Sequence, residues 1–191
     1  MEQLILQEAI QNVHLLPKPV SLYKSLISLI ISQQISFKAS RKLRGNLYQY
    51  LGSNEFTPEN ILKITSVQWE GWGLNPHRRE LIHRVTDMAL KSELRVADLS
   101  KIEGIGPWTL KGLQIMTYIE PDVFLYEDAF IRKHIRKLFG NLTLRQIQKL
   151  SQTPVWAGQR SLVSRFLWRL RDSGALKLIQ GENITPEDLY L

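Results

Sequence analysis

The chain has 191 residues, long enough for one domain with a sizeable core or for two small lobes. Its 25 Lys and Arg against 18 Asp and Glu leave a net charge of +7, which suits a polyanionic partner. With no cysteine, disulfides, thiolate zinc sites and cysteine-held iron–sulfur clusters are excluded, and His14, His77, His83 and His134 show no metal-ligand spacing.

Apolar residues recur at the helical period along most of the chain. Residues 4–15 form a first apolar stretch, ended by Pro17 and Pro19. Ser21 caps a second helix that carries Leu22, Leu26, Leu29 and Ile30 on one face. A third runs from Phe37 to Leu51 and ends near Gly52. Thr57-Pro58-Glu59 joins a cap, a first-turn proline and a dipole-matched acid; Asn75-Pro76 repeats the signal ahead of a stripe of Leu81, Val85 and Met88. Residues 96–119 make a hairpin: a short helix, a tight Gly104-Ile105-Gly106 turn, and a second helix opened by Pro107. Asp128 starts a helix that runs to Phe139 and stops at Gly140. Thr143 and Gln146 form a capping box, and an amphipathic stretch from Ser161 to Asp172 ends at Gly174. No strand-period segment remains, so the pattern predicts an all-α chain of about ten helices with short loops. The longest apolar run, Leu26 to Ile31, is broken by Ser28 and too short to span a bilayer. No secretory signal opens the chain, so the expectation is an intracellular protein, cytoplasmic (in the nucleoid) or nuclear.

The hairpin is the most informative stretch. Its glycines bare backbone amides, and the positive end of the helix after Pro107 adds to them, making an anion site sized for one phosphate of a nucleic-acid backbone. Asp128 follows closely enough for the two to share one site.

Four segments together resemble the helix-hairpin-helix (HhH-GPD) DNA glycosylase superfamily, and most of all its 3-methyladenine DNA glycosylase II (AlkA-like) branch. They are LIISQQISFKAS at 29–40, GIGPWT at 104–109, DVFLYED at 122–128 and WAGQRSLVSRFLW at 156–168. The order and spacing carry the resemblance, which covers about residues 20–172. It implies a two-lobed helical fold with an active-site cleft between the lobes. A central lobe at 22–121 holds the hairpin; the other lobe joins 1–21 to 122–191.

The resemblance implies a role for each candidate. Asp128 is the catalytic carboxylate: breaking a base–sugar bond leaves positive charge on the sugar, which a fixed carboxylate stabilises while orienting the attacking water. The plain alternative is a helix cap, and capping and catalysis are compatible. Asp122 and Glu127 are neighbouring carboxylates that the motif match passes over. Trp108 stands where the lyase branch carries its Schiff-base lysine, so the chain reads as monofunctional; its indole would stack on a cationic alkylated base. Gln33 and Tyr126 join Trp108 in the base pocket. Gln34 lies near the position that wedges into the gap left by a flipped nucleotide. Ser36, Lys38, Gly104, Gly106, Thr109, Lys111, Lys133 and Arg160 are DNA-contact candidates; for Arg160, with Ser161, the alternative is that they only buttress the fold. The run 132–137, with Arg165, Arg169 and Arg171, reads either as a solvated face or as a DNA track, and the net charge favours DNA. Main-chain carbonyls of Ser100, Ile102 and Ile105 would hold a structural Na+ or K+; no other cofactor is implied.

The chain departs from the family at Gly112 and Gln159, where relatives carry aromatics, and at Gly158, where they carry proline. These changes imply a differently shaped base pocket, for which Tyr23, Tyr126 and Trp72 are candidate compensating aromatics. The expected activity is hydrolysis of the N-glycosidic bond of alkylated purines, 3-methyladenine or 7-methylguanine, in duplex DNA by a monomer. The competing readings are a non-catalytic DNA or abasic-site binding module, and a bifunctional glycosylase/lyase using Lys111 or Lys133.

Overall fold

The computed structural model describes residues 1–16, 18, 20–117 and 119–190, so the stop expected at Pro17 and Pro19 lies outside the described residues. Among these residues the chain is helical throughout, and β structure is limited to one antiparallel bridge between Leu170 and Leu189. It divides into two compact units, residues 20–113 and residues 1–19 with 114–191.

In the unit 20–113, helix α2 (Leu22–Ser32) is a buried rod, following α1 (Glu2–Gln11) of the other unit. Ser21 Oγ accepts the Lys24 N–H, as a cap should, but Tyr23 and every residue from Ser25 to Ile31 is buried. An all-round apolar surface is the mark of a central helix. α3 (Phe37–Leu51) and α6 (Pro76–Leu90) pack against it, and α4 (Pro58–Leu62) packs on α6. The signals at Thr57-Pro58 and Asn75-Pro76 open α4 and α6, with Thr57 and Asn75 side chains accepting third-residue amides. A further short helix, α5 (Ser66–Gly71), rests on a Thr65–Gln68 capping box that the periodicity alone passes over. α6 buries Leu81, Ile82, Val85 and Thr86, while Met88 is only half-buried. The Thr86 hydroxyl donates to Ile82 O at 2.7 Å and meets the Tyr23 hydroxyl at 2.8 Å. Burial pushes the Tyr23 phenol up to about 12. Tyr23 is therefore core structure, and Trp72 lies half-buried and edge-on to Trp69 and Tyr50 within this unit.

The division between units falls within α7 (Pro107–Thr117). The other unit holds α8 (Ala129–Phe139), α9 (Leu144–Ser151), α10 (Arg160–Arg169) and α11 (Asp172–Gln180); α8 packs against α10 and α11, and α1 against α10. The stop expected at Gly174 is not there. Gly174 lies inside α11, where an added Cβ would stand 2.8 Å from Leu170 Cδ1 and 2.9 Å from Asp188 Cβ. This glycine marks a close approach of the C-terminal segment, and the true break comes at Leu170, which turns extended to pair with Leu189. Buried Asp188 accepts Lys177 at 2.6 Å and the Thr185 N–H at 3.0 Å; burial opposes its charge, yet these partners hold its carboxyl far below the usual range. The basic run, expected to lean toward DNA, is committed within its own unit. Lys133 and Lys137 reach Asp172 at 3.0 and 3.2 Å, Arg136 donates to Leu142 O, and His134 and Arg165 are buried. Arg169 donates to Tyr190 O, and the Arg171 guanidinium lies 4.8 Å from the centre of the Tyr190 ring. Among the described residues no helix is long and apolar enough to cross a membrane.

Candidate active site

A 3-10 turn (Val96–Lys101) leads into the hairpin, whose chain reverses through an Ile105 N–H to Ile102 O bond at 3.0 Å. The buried side chains of Ile102 and Ile105 hold it down. Gly104 has φ +91°, a conformation that favours glycine, and a Cβ there would stand 2.9 Å from Leu81 Cδ2, which would have to shift. Gly106 has open space around it. The first helical bond of α7 is Leu110 N–H to Gly106 O at 3.1 Å, which leaves the leading turn as a positive, amide-bearing end. Trp108 is half-buried in that turn, and Lys111 is half-buried one turn on.

The hydroxyl expected at a phosphate, that of Thr109, is turned inward instead. Thr109 is 2% exposed, and its Oγ1 accepts Gln33 Nε2 at 3.1 Å. The same nitrogen donates to Gly104 O at 2.8 Å. Gln33 thus reaches from the end of α2 to the hairpin, and its donors serve the hairpin rather than an open pocket. Arg78, which the sequence reading missed, is buried on α6 and donates from Nη1 to Ile31 O at 3.0 Å and Gln33 O at 3.2 Å. Burial lowers its guanidinium from the ordinary value. Only its place in an i, i+3, i+4 series with Leu81 and Ile82 on the buried face of α6 signalled this in the sequence. Beyond Gln33, exposed Gln34 sits at φ +53°, a conformation residues with side chains rarely adopt and one that recurs at functional sites. Ser36 caps α3 by accepting the Ala39 N–H at 3.2 Å, and Lys38 is exposed in the first turn of that helix.

In the other unit, Asp128 is 7% exposed at the N-terminus of α8, and its Oδ1 accepts the Phe130 and Ile131 N–H groups, both at 2.9 Å. The cap and the candidate catalyst are one residue. Its rivals differ. Asp122 is ion-paired with Arg160, and its Oδ1 accepts the Gly158 N–H at 2.8 Å; Glu127 is half-buried. Tyr126 is half-buried in the same loop.

The fourth motif segment holds this loop in place. Ser161 Oγ donates to Glu120 O at 2.6 Å and accepts the Val123 N–H at 3.0 Å. Ser164 Oγ donates to Val123 O at 3.2 Å. Trp156 stacks on Phe124 with ring centres 5.4 Å apart and donates to Glu2 O at 2.9 Å. Arg160, expected at DNA, instead binds Asp122, Ser151 O and Thr153 O. Lys133 is exposed but paired with Asp172. The Gly158 departure has a local reason: with φ +77° and an N–H donated to Asp122, it does two things proline cannot.

Among the described residues no group of His, Asp or Glu side chains could hold a metal ion. The chemistry of the hairpin carbonyls is compatible with an alkali ion: they are hard oxygen donors, and Ile102 O uses one of its two lone pairs on Ile105 N–H.

No family model matches the chain. The alkylbase DNA glycosidase-like protein mag2 of Schizosaccharomyces pombe is 24% identical over 164 residues, covering 78% of this chain and 77% of that protein. A solved DNA-3-methyladenine glycosidase from Bacillus halodurans superposes with TM-score 0.60 at 20% identity, over 98% of this chain and 93% of its own. The 3-methyladenine DNA glycosylase of Schizosaccharomyces pombe, solved with abasic DNA, gives TM-score 0.62 at 20% identity, over 86% and 94%. These likenesses show that the chain has the helical fold of these DNA glycosylase structures.

Proposed function

We propose that this protein is a monofunctional DNA glycosylase that releases alkylated purines, 3-methyladenine and 7-methylguanine, from duplex DNA and leaves an abasic site. The observation that carries this reading is Asp128: a buried carboxylate fixed by two amides through one oxygen, in a loop braced by serine hydroxyls. Such a group stabilises positive charge developing on a sugar without first having to reorganise. A cationic alkylated base is already a good leaving group, so the protein supplies positioning, charge stabilisation and orientation of water. Trp108 cannot form an imine, which supports hydrolysis over lyase chemistry, and its indole face would attract a cationic base. Gly104, Gly106 and the leading turn of α7 would receive one phosphate, with Lys38 and Ser36 receiving another. Na+ or K+ on the carbonyls of Ser100, Ile102 and Ile105 would stiffen the hairpin and add positive charge near that phosphate. The protein would act as a monomer.

The test is to incubate the protein with randomly methylated duplex DNA and identify the bases set free. Release of 3-methyladenine or 7-methylguanine by wild type, lost in Asp128→Asn, is expected. Binding without release would make the protein a binding module. A covalent adduct trapped by borohydride would make it a lyase.

A further inference from the structure

Gln33 joins two stretches of chain that sequence alone keeps far apart. Its side-chain nitrogen has two hydrogens; one goes to Gly104 O at 2.8 Å and the other to Thr109 Oγ1 at 3.1 Å. An amide so engaged has no donor left for the edge of a base. Its backbone is held as well, because Arg78 Nη1 donates to Gln33 O at 3.2 Å and to Ile31 O at 3.0 Å. These two carbonyls close the C-terminal end of α2, where a cation meets the negative end of the helix dipole. Arg78 is 7% exposed, and its Nε is buried with no hydrogen-bond partner. A guanidinium in that state is weak evidence for added stability, since a packed apolar side chain serves stability as well or better. What it does supply is geometry at the turn that follows α2.

The geometry points to Gln33 and Arg78 as positioning residues that lock the turn 33–36 and the hairpin 102–109 into one rigid strand-holding element. Arg78 fixes the Gln33 backbone, and Gln33 fixes the hairpin through the Gly104 carbonyl and buried Thr109. The exposed groups on both sides, Gln34, Ser36 and Lys38 on one and Gly106 with the α7 amides on the other, then meet DNA at a set spacing. This rests on the glycosylase reading above and assigns Gln33 a role other than lining the base pocket.

A duplex carrying a tetrahydrofuran abasic analogue separates the two roles, because it presents no base. Its dissociation constant is measured for wild type, Gln33→Ala, Arg78→Met and the double variant, beside thermal midpoints and single-turnover release of 3-methyladenine at saturating enzyme. Loss of both side-chain bonds is expected to weaken binding of this duplex by Gln33→Ala about tenfold, with the midpoint lowered but the protein folded and the saturated rate unchanged. Arg78 acts in part by fixing the backbone from which the Gln33 side chain reaches the hairpin, so the penalty of the double variant should fall short of the sum of the two single penalties. Wild-type affinity in Gln33→Ala, with its loss confined to base release, would return Gln33 to the pocket and overturn the proposal. Fully additive penalties in the double variant would overturn the part assigned to Arg78; should Arg78→Met not fold, Gln33→Ala alone decides. A wild-type protein that neither binds this duplex nor releases base would overturn the glycosylase reading itself, an outcome distinct from either of these.

Discussion

Ser161 and Val123 are hydrogen-bonded across 38 residues of sequence: the Val123 N–H donates to Ser161 Oγ at 3.0 Å, while the same hydroxyl donates to Glu120 O at 2.6 Å. One fully buried side chain thereby ties the start of the aspartate loop to α10. Ser161→Ala orphans a part-buried N–H and a carbonyl and should cost about 1–3 kcal/mol in unfolding free energy. A looser loop should also lower the single-turnover rate of base release more than it changes the dissociation constant. Urea denaturation and single-turnover kinetics check the two effects.

Asp128 serves both as cap and as the proposed charge stabiliser, and two substitutions separate these. Asn caps helices about as well as Asp, so Asp128→Asn should leave the denaturation midpoint close to wild type. Its rate should fall by about 10²–10³, the usual scale for removing one preorganised electrostatic group. Asp128→Ala should lose activity and, in addition, about 1 kcal/mol of stability with the cap. Base-release assays run beside denaturation curves would show whether the two properties part as expected.

The hairpin glycines should respond differently to one added methyl. At Gly104 the Cβ would meet Leu81 at 2.9 Å in a left-handed backbone, so Gly104→Ala should destabilise by about 1–3 kcal/mol. At Gly106 the space is open, and Gly106→Ala should fold normally while binding DNA less well, because the methyl stands where a phosphate would approach. Thermal midpoints and fluorescence titration with duplex DNA distinguish the two.

Restoring the family's proline at Gly158 should be harmful here. Gly158 has φ +77° and gives its N–H to Asp122 at 2.8 Å, whereas proline holds φ near −65° and has no N–H. Gly158→Pro should cost about 3 kcal/mol or more, read as a lower urea midpoint.

His134 should make the protein sensitive to mild acid. Burial lowers its pKa, outweighing the bond to Phe130 O; Lys133 and Lys137 act with burial and Asp172 against it. The folded state therefore holds its proton less tightly than the unfolded chain does. The stabilising effect of the neutral ring is complete above the unfolded value of 6.5 and is lost as pH falls through the lower folded value. Unfolding free energy should drop by up to about 1.4 kcal/mol per pH unit in that window. His134→Phe should flatten the slope in urea denaturation series from about pH 7.5 down to about pH 5.

Much of this protein was legible in its sequence because much of it is local. Ser21, Thr57, Asn75, Asp128 and Thr143 were readable as caps, since a cap bond spans two or three residues and depends on little else. The same locality made the Gly104-Ile105-Gly106 reversal and the all-helical class readable. Local pattern said least where distant partners act. Gly174 resembles a stop, yet packs against Leu170 and Asp188; Thr109 resembles a phosphate ligand, yet turns inward to Gln33; Arg160 resembles a DNA contact, yet closes on Asp122.

Sequence by itself determined most of the helices and where the hairpin and the aspartate fall along the chain, because short-range hydrogen bonding and the helical repeat are written residue by residue. Tertiary structure alone decided which polar side chains remain for a ligand. A buried donor or acceptor must find a partner wherever folding brings one, and pairs such as Gln33 with Gly104 or Ser161 with Val123 have no signature in neighbouring residues.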